Sequence, residues 1–318
     1  MRRISIGGGI YNCWETKLRY SQRHYYLCGG NPTNTMKTSI YLLILCFAFG
    51  FTSCKDDGKS TKPETTTSTE GQSYVPDGYD LVWNDEFNEG TMPDSTRWGY
   101  QVGGHGWTAK EVQMYTKADP TNVGIENGFL RIRAQKVDDR RNPFTSTRLV
   151  TKHKATFEKG YFEFRAKFPS GRGLRSAIWM VGDTVSKIGW PVAGEIDIVE
   201  HYGKIPTAVG AAVQTPANYW NGKGQLGGST LVEGATDEFH VYSVEWTDEL
   251  MTFSADGVPY WSYQPLPGKG IKGWPFNWPF YLVVNLSVGG QRGAKSTGYD
   301  IEDFPANLLL DYVRVYQK

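Results

Sequence analysis

The sequence predicts an all-β protein, an antiparallel β-sandwich of jelly-roll type. Three observations carry this prediction. Apolar and polar residues alternate with period two through several stretches, as on half-buried antiparallel strands. Glycine, at 37 of 318 residues, and proline punctuate those stretches into short runs. No stretch sustains a helical period with caps. A high aromatic share, 14% with 11 Trp and 19 Tyr, points the same way.

The strands follow in chain order. Residues 81–83 begin one, and residues 128–133 follow the Asn127-Gly128 turn signal. Residues 161–168 set Phe162, Phe164, Ala166 and Phe168 on one face, with Tyr161, Glu163, Arg165 and Lys167 on the other. Residues 239–246 repeat that pattern. Residues 250–255 and 258–263 flank Asp256-Gly257, a strong hairpin signal. Residues 281–288 and 308–316 complete the set, and residues 215–233 read as a Gly-rich loop holding Tyr219-Trp220. No internal repeat and no second domain are visible.

One further stretch carries three acids, Gly194-Glu195-Ile196-Asp197-Ile198-Val199-Glu200. On a regular strand Glu195 and Asp197 share a face, while Ile196 and Ile198 share the other. Glu200 is out of phase. A one-residue bulge near Ile198-Val199 returns it to the acid face, as bulges do where a side chain must be re-aimed.

The ends of the chain bound the function. Residues 1–54 hold six Lys/Arg and one acid, which leaves 28 basic and 32 acidic residues, a net charge of −4, from Lys55 onward. That balance offers no basic footprint for nucleic acid. All four cysteines (Cys13, Cys28, Cys46 and Cys54) precede residue 55, so the body relies on its core alone. Met36-Lys37 opens a positive segment, and residues 40–51 form an apolar run too short to span a membrane and suited to a signal peptide. Phe51-Thr52-Ser53-Cys54 resembles a bacterial lipoprotein cleavage site that would lipidate Cys54. Lys55-Asp56-Asp57 resembles the charged tag of surface-exposed Bacteroidetes lipoproteins. The expected organisation is residues 1–35 as a mis-called upstream extension, 36–54 as lipoprotein signal, 55–75 as disordered tether and 76–318 as catalytic body. The expected location is the outer membrane, cell-surface exposed, with secretion or the periplasm as the alternative.

Crowded carboxylates separate in pKa, and a glycosidic bond is cut with retention by one carboxylate that attacks and one acid that protonates the leaving oxygen. Residues 195–200 supply both, with a third acid between them. The stretch resembles the active-site strand of glycoside hydrolase family 16, in the bulged form of laminarinases and agarases. The resemblance runs over residues 79–318. It takes in residues 81–87, Gly106-Trp107 with Glu111, Gln113 and Tyr115, residues 161–173, Ala177-Ile178-Trp179-Met180, Trp190-Pro191, residues 279–290 and residues 311–316.

The resemblance implies a jelly roll with a concave substrate cleft. It implies Glu195 as nucleophile, Asp197 as its auxiliary and Glu200 as general acid/base, with no cofactor needed for the chemistry. Sugar rings stack on aromatic faces, which makes Trp107, Trp179 and Trp190 cleft candidates. Trp220, Trp274 and Trp278 are read as loop packing. Glu111, Arg165, Asn285 and, more weakly, Gln291 are candidate sugar contacts. His201 is expected to face away from the acids. Glu86 and Asp311 sit where many members bind a structural calcium. Two departures bear on the substrate: Arg175-Ser176 stands where laminarinases commonly carry Trp-Pro, and Gln214-Thr215 where they commonly carry a His-Gly or similar pair. Arg175 would suit a decorated glycan as a bidentate donor. The expected function is a retaining, monomeric endo-β-1,3-glucanase. The alternative is an endo-β-galactosidase on algal galactans or mucin-type glycans, and a further rival is a catalytically dead glycan-binding lipoprotein.

Overall fold

The computed structural model describes residues 73–318, apart from 108, 221, 223 and 291–297, together with the backbone of three strands near the N-terminus. Those strands, Arg2–Ile6, Gly9–Thr16 and Tyr25–Cys28, pair antiparallel within the unit Met1–Thr65. No element was expected in residues 1–35. Ile10, Tyr11, Trp14 and Thr16 favour strand, a preference masked by the polar average of the segment. Residues 36–54, Cys54, residues 55–72 of the tether and Gln291 lie outside the described residues.

The unit Thr66–Lys318 is a sandwich of two sheets. The front sheet has seven strands in the spatial order Leu226–Leu231, Ala208–Gln214, Glu195–Tyr202, Leu174–Gly182, Phe280–Val288, Arg148–Val150 and Gly99–Tyr100. The back sheet has ten. Its middle is Gly160–Lys167, held between His240–Trp246 and the long last strand Ala306–Gln317. Asp80–Asp85 also pairs with that last strand. Residues 226–231, expected within a loop, form an edge strand instead. Gly227 and Gly228 admit it: a Cβ on Gly227 would lie 2.4 Å from Ala211 O, and one on Gly228 would lie 2.6 Å from Trp261 Cβ.

The two expected hairpins are present. Asn127 and Gly128 both take positive φ (56° and 78°), as do Asp256 and Gly257 (47° and 74°), the backbone of a type I′ turn matched to strand twist. The predicted alternation of residues 161–168 puts Phe162, Phe164 and Ala166 in the core. There they meet Ile178, Met180, Ile196, Ile198, Val199, Leu282 and Val284 of the front sheet in one continuous cluster. Trp246 joins the layers, with its ring 6.2 Å from Phe162 in the back sheet and 5.2 Å from Phe280 in the front. Each such buried aliphatic or aromatic side chain contributes about 1.5–3 kcal/mol. The core therefore seats the strand that carries the acids, through Ile196, Ile198 and Val199.

Candidate active site

The acid strand enters through Gly194, whose φ of 78° suits glycine, and a Cβ there would lie 2.9 Å from Pro275 O. Along Leu174–Gly182, Glu195 pairs with Val181, Asp197 with Trp179 and Glu200 with Ala177, with a register shift between Ile178 and Trp179. On the other side Asp197 faces Ala212 and Glu200 faces Gly210, so Ile198 and Val199 together oppose one residue. Val181, Trp179 and Ala177 alternate onto one face of their strand. Their partners Glu195, Asp197 and Glu200 therefore share the outer face of the front sheet. The bulge lies where the phase of the sequence places it. Ile196, Ile198 and Val199 are buried on the inner side.

A cavity of about 180 Å³ opens on this outer face. Glu195 and Asp197 line it with Trp107, Glu111, Arg148, Arg175, Trp179, Trp190 and Trp220. Val150, Val181, Tyr281 and Val283 form a small apolar cluster on the same side. Trp190 Nε1 donates to Glu195 Oε2 at 3.0 Å. Asp197, 1% exposed, accepts from Gln214 Nε2 at 2.9 Å. Gln214 Oε1 takes the Trp220 N–H at 3.0 Å and its Nε2 also meets Gln225 Oε1 at 3.1 Å, so both ends of the amide are bonded.

Glu200 is 5% exposed and accepts a hydrogen bond from the Arg175 guanidinium, whose Nη1 lies 4.0 Å from Glu111 Oε1. Burial alone would lower the Arg175 pKa, but Glu200, Tyr202 and Glu111 outweigh it and hold the guanidinium charged, well above its ordinary value. Glu111 Oε2 accepts from Gln113 Nε2 at 2.7 Å and from Tyr115 Oη at 3.4 Å. Burial, with Glu111 alongside, pushes the Tyr115 phenol well above its usual range, so it remains a donor. Asn285, 2% exposed, links Tyr115 Oη (3.2 Å) to Trp179 Nε1 (2.9 Å). A continuous polar chain thus runs from Trp179 through Asn285, Tyr115 and Glu111 to Arg175 and Glu200.

Several sequence expectations need correction. Arg165 is not in the cavity. It lies on the back sheet, on the side away from the core, where Nη1 meets Asp311 Oδ2 at 2.5 Å and the guanidinium covers Phe239. Alternation placed it on the polar face of its strand, but nothing local says which sheet that strand joins. Arg175 lines the cavity as expected and is bonded there to Glu200, while Gln214 is bonded to Asp197 and Asn285 to Tyr115 and Trp179. Trp220, read as loop packing, lines the cavity, whereas Trp274 is in the core and Trp278 bonds Ala193 O as expected. His201 faces away, stacked on Phe168 at 4.9 Å and bonded to Pro206 O.

Glu86 and Asp311, the candidate calcium residues, each face an arginine of the back sheet. Glu86 is held in a fork by Arg314 at 2.8 Å through both oxygens, and Asp311 by Arg165. Among the described residues no group of three or more His, Cys, Asp or Glu is placed to hold a metal.

Arg148 was not singled out by the sequence. Its guanidinium lies 4.6 Å from the ring centres of both Trp107 and Trp179, and Nε donates to Gln101 Oε1 at 2.6 Å. The short strand Arg148–Val150 reaches the cleft only by pairing with the distant Phe280–Val288.

Known proteins share this arrangement of sheets and sequence. The Glycosyl hydrolases family 16 model matches residues 109–304. A β-glucanase of Rhodothermus marinus is 44% identical over 246 residues, spanning 75% of this chain and 85% of that protein. The crystal structure of the laminarinase from Rhodothermus marinus has a TM-score of 0.72 at 43% identity, covering 75% of this chain and 97% of that one. A point mutant of SCLam, a non-specific endo-β-1,3(4)-glucanase co-crystallised with 1,3-β-D-cellotriosyl-glucose, has a TM-score of 0.72 at 37% identity and covers 77% and 96%.

Proposed function

The chain belongs to glycoside hydrolase family 16, and from that premise we propose that it is a retaining endo-β-1,3-glucanase with Glu195 as nucleophile, Asp197 as its orienting partner and Glu200 as general acid/base. The observation that carries this reading is the bulge at Ile198-Val199, which turns three acids of one strand onto one face above a tryptophan-lined cavity.

The roles follow from the surroundings. Trp190 Nε1 orients Glu195 for attack on the anomeric carbon. Glu200 passes its proton to the leaving glycosidic oxygen, and a glycosyl ester forms on Glu195. Water then adds to the anomeric carbon, Glu200 takes the proton from it, and Glu195 leaves, so that two inversions give net retention. Asp197, fixed by Gln214, lies between the two on the same face and orients the nucleophile. Trp107, Trp179, Trp190 and Trp220 supply flat apolar surface for glucose rings.

Glu195→Gln is expected to lower kcat on laminarin by about 10³-fold or more with the fold unchanged by circular dichroism. Undiminished turnover by that variant would remove the assignment. A product screen on laminarin, mixed-linkage glucan, agarose, carrageenan and mucin addresses the substrate. Oligosaccharides ending only in galactose would replace the glucanase reading with a galactanase one. We further propose that Cys54 is lipidated after removal of residues 36–53, and that residues 55–75 tether the enzyme at the bacterial outer surface. The support is the sequence pattern of charged start, apolar run and Cys.

A further inference from the structure

The loop between Ala208–Gln214 and Leu226–Leu231 carries one more inference, which rests on the roles proposed for Glu195 and Asp197. Ala208, Gly210, Ala212 and Gln214 alternate onto the acid-bearing face, so Gln214 is the one long side chain this strand presents there. It stands directly across from Glu195 and reaches diagonally to donate to Asp197 at 2.9 Å. Its amide oxygen takes the backbone N–H of Trp220, whose side chain lines the cavity beside both acids. The neighbouring Tyr219 ring meets the Trp190 ring at 5.5 Å and nearly at right angles, and Trp190 Nε1 donates to Glu195. Two adjacent loop residues thus bear on two acids by separate routes. We propose that Gln214 and Tyr219 are positioning residues that connect the sugar surface at Trp220 to Asp197 and Glu195, so that a glucan bound along this loop gains in kcat as well as in affinity.

The strand fixes where each acid leaves the backbone, but a carboxylate still turns about its side-chain torsions. Hydrogen bonds from Trp190 and Gln214 select among those settings, and the rate of attack depends on the setting. Both carboxylates have further interactions, and the loop is one support among them. The loop is braced where it leaves the sheet. Thr215 and Asn218 exchange backbone hydrogen bonds at 2.7 and 3.0 Å, and the Ala217 N–H reaches Lys272 O at 2.8 Å. Gly222 makes room for the Tyr219 ring, since a Cβ there would lie 2.2 Å from Tyr219 Cε2. Gly224, at a φ of 79° and with nothing within 4 Å of a Cβ, leaves the far side of the loop open. Trp220 therefore has a braced segment before it and open, glycine-bearing backbone after it. A glucose ring packed on its indole fixes that residue, and with it the N–H that Gln214 accepts. Contact energy from a sugar remote from the cut then goes into orienting the reacting groups, and such energy appears in kcat.

The test measures kcat and KM separately on short and long laminari-oligosaccharides, for the full chain and three variants. In the wild type kcat is expected to be higher on the long substrate. Gln214→Met fills similar space without a hydrogen bond. It is expected to lose that difference, with kcat on the long substrate lowered by up to about 10²-fold and its KM close to wild type. Trp220→Ala is expected to lose the difference and also to raise KM on the long substrate. Tyr219→Leu is expected to shrink the difference through the Trp190 route. Damage confined to structure lowers kcat on both substrates by one factor and leaves their ratio unchanged. Equal kcat on both substrates in the wild type, or an unchanged ratio in Gln214→Met, overturns the inference and leaves the glucanase reading standing. A wild-type chain inactive on every glycan of the screen removes both. Should Gln214→Met not fold, the ratio in Tyr219→Leu alone decides.

Discussion

His201 follows Glu200 in the chain and shares none of its surroundings. Burial against Phe168 lowers its pKa from 6.5 to about 4, partly offset by the bond to Pro206 O. The unfolded chain takes up this proton near pH 6.5 and the folded chain only near 4. Between those values the unfolded state binds more protons, so stability rises with pH across the window, by about 3 kcal/mol in all. Urea unfolding at pH 7, 6, 5 and 4.5 measures it: His201→Gln is expected to flatten the slope relative to wild type. An equal slope in both proteins would place the pH sensitivity elsewhere. At this scale the sequence is legible wherever period two decides the matter. Glu195, Asp197 and His201 could each be assigned a face from their neighbours. Arg165, Arg175 and Gln214 could not be assigned a partner, because partners come from other strands: Arg175 reads as a free donor until Glu111 and Glu200 are brought to it. Arg148 gave no signal at all, since its place between two indoles depends on a pairing more than 130 positions away.

At the scale of the element, the acid strand was legible because its own pattern contains a phase error. A strand of alternating faces can present Glu200 with Glu195 only by an extra residue, and the register shows one. Its entry is equally constrained. Gly194→Ala combines a left-handed backbone with a Cβ 2.9 Å from Pro275 O, and is expected to cost about 2 kcal/mol or more of stability and to reduce turnover with it. Thermal unfolding and laminarin assays check both; a variant as stable and active as wild type would show that the turn can relax. Hairpins announced by Asn-Gly and Asp-Gly were readable in advance. Short strands such as Gly99–Tyr100 and Leu226–Leu231 were not, because they are held by their neighbours and lack a strong pattern of their own.

At the scale of the molecule, the proposed anchor and the catalytic unit make separable predictions. Cys54→Ala is expected to shift the enzyme from the membrane fraction to the soluble fraction or medium with kcat on laminarin unchanged. Retention in the membrane fraction would end the lipoprotein reading. The sandwich itself was legible as a class, from alternation and turns, whereas the assignment of each strand to front or back sheet was not. The proposed nucleophile and acid are five positions apart on a single strand, so their separation is set by covalent geometry and one bulge. Loosening at the sandwich edges leaves that distance unchanged. The proposed catalytic pair is therefore expected to behave as a one-piece component, with warming degrading the walls and the fit of the sugar before the spacing that determines stereochemistry. Retention of configuration is expected to persist in every molecule that still turns over, up to the temperature at which the sheet itself melts, and the anomeric form of the first product at rising temperature measures it.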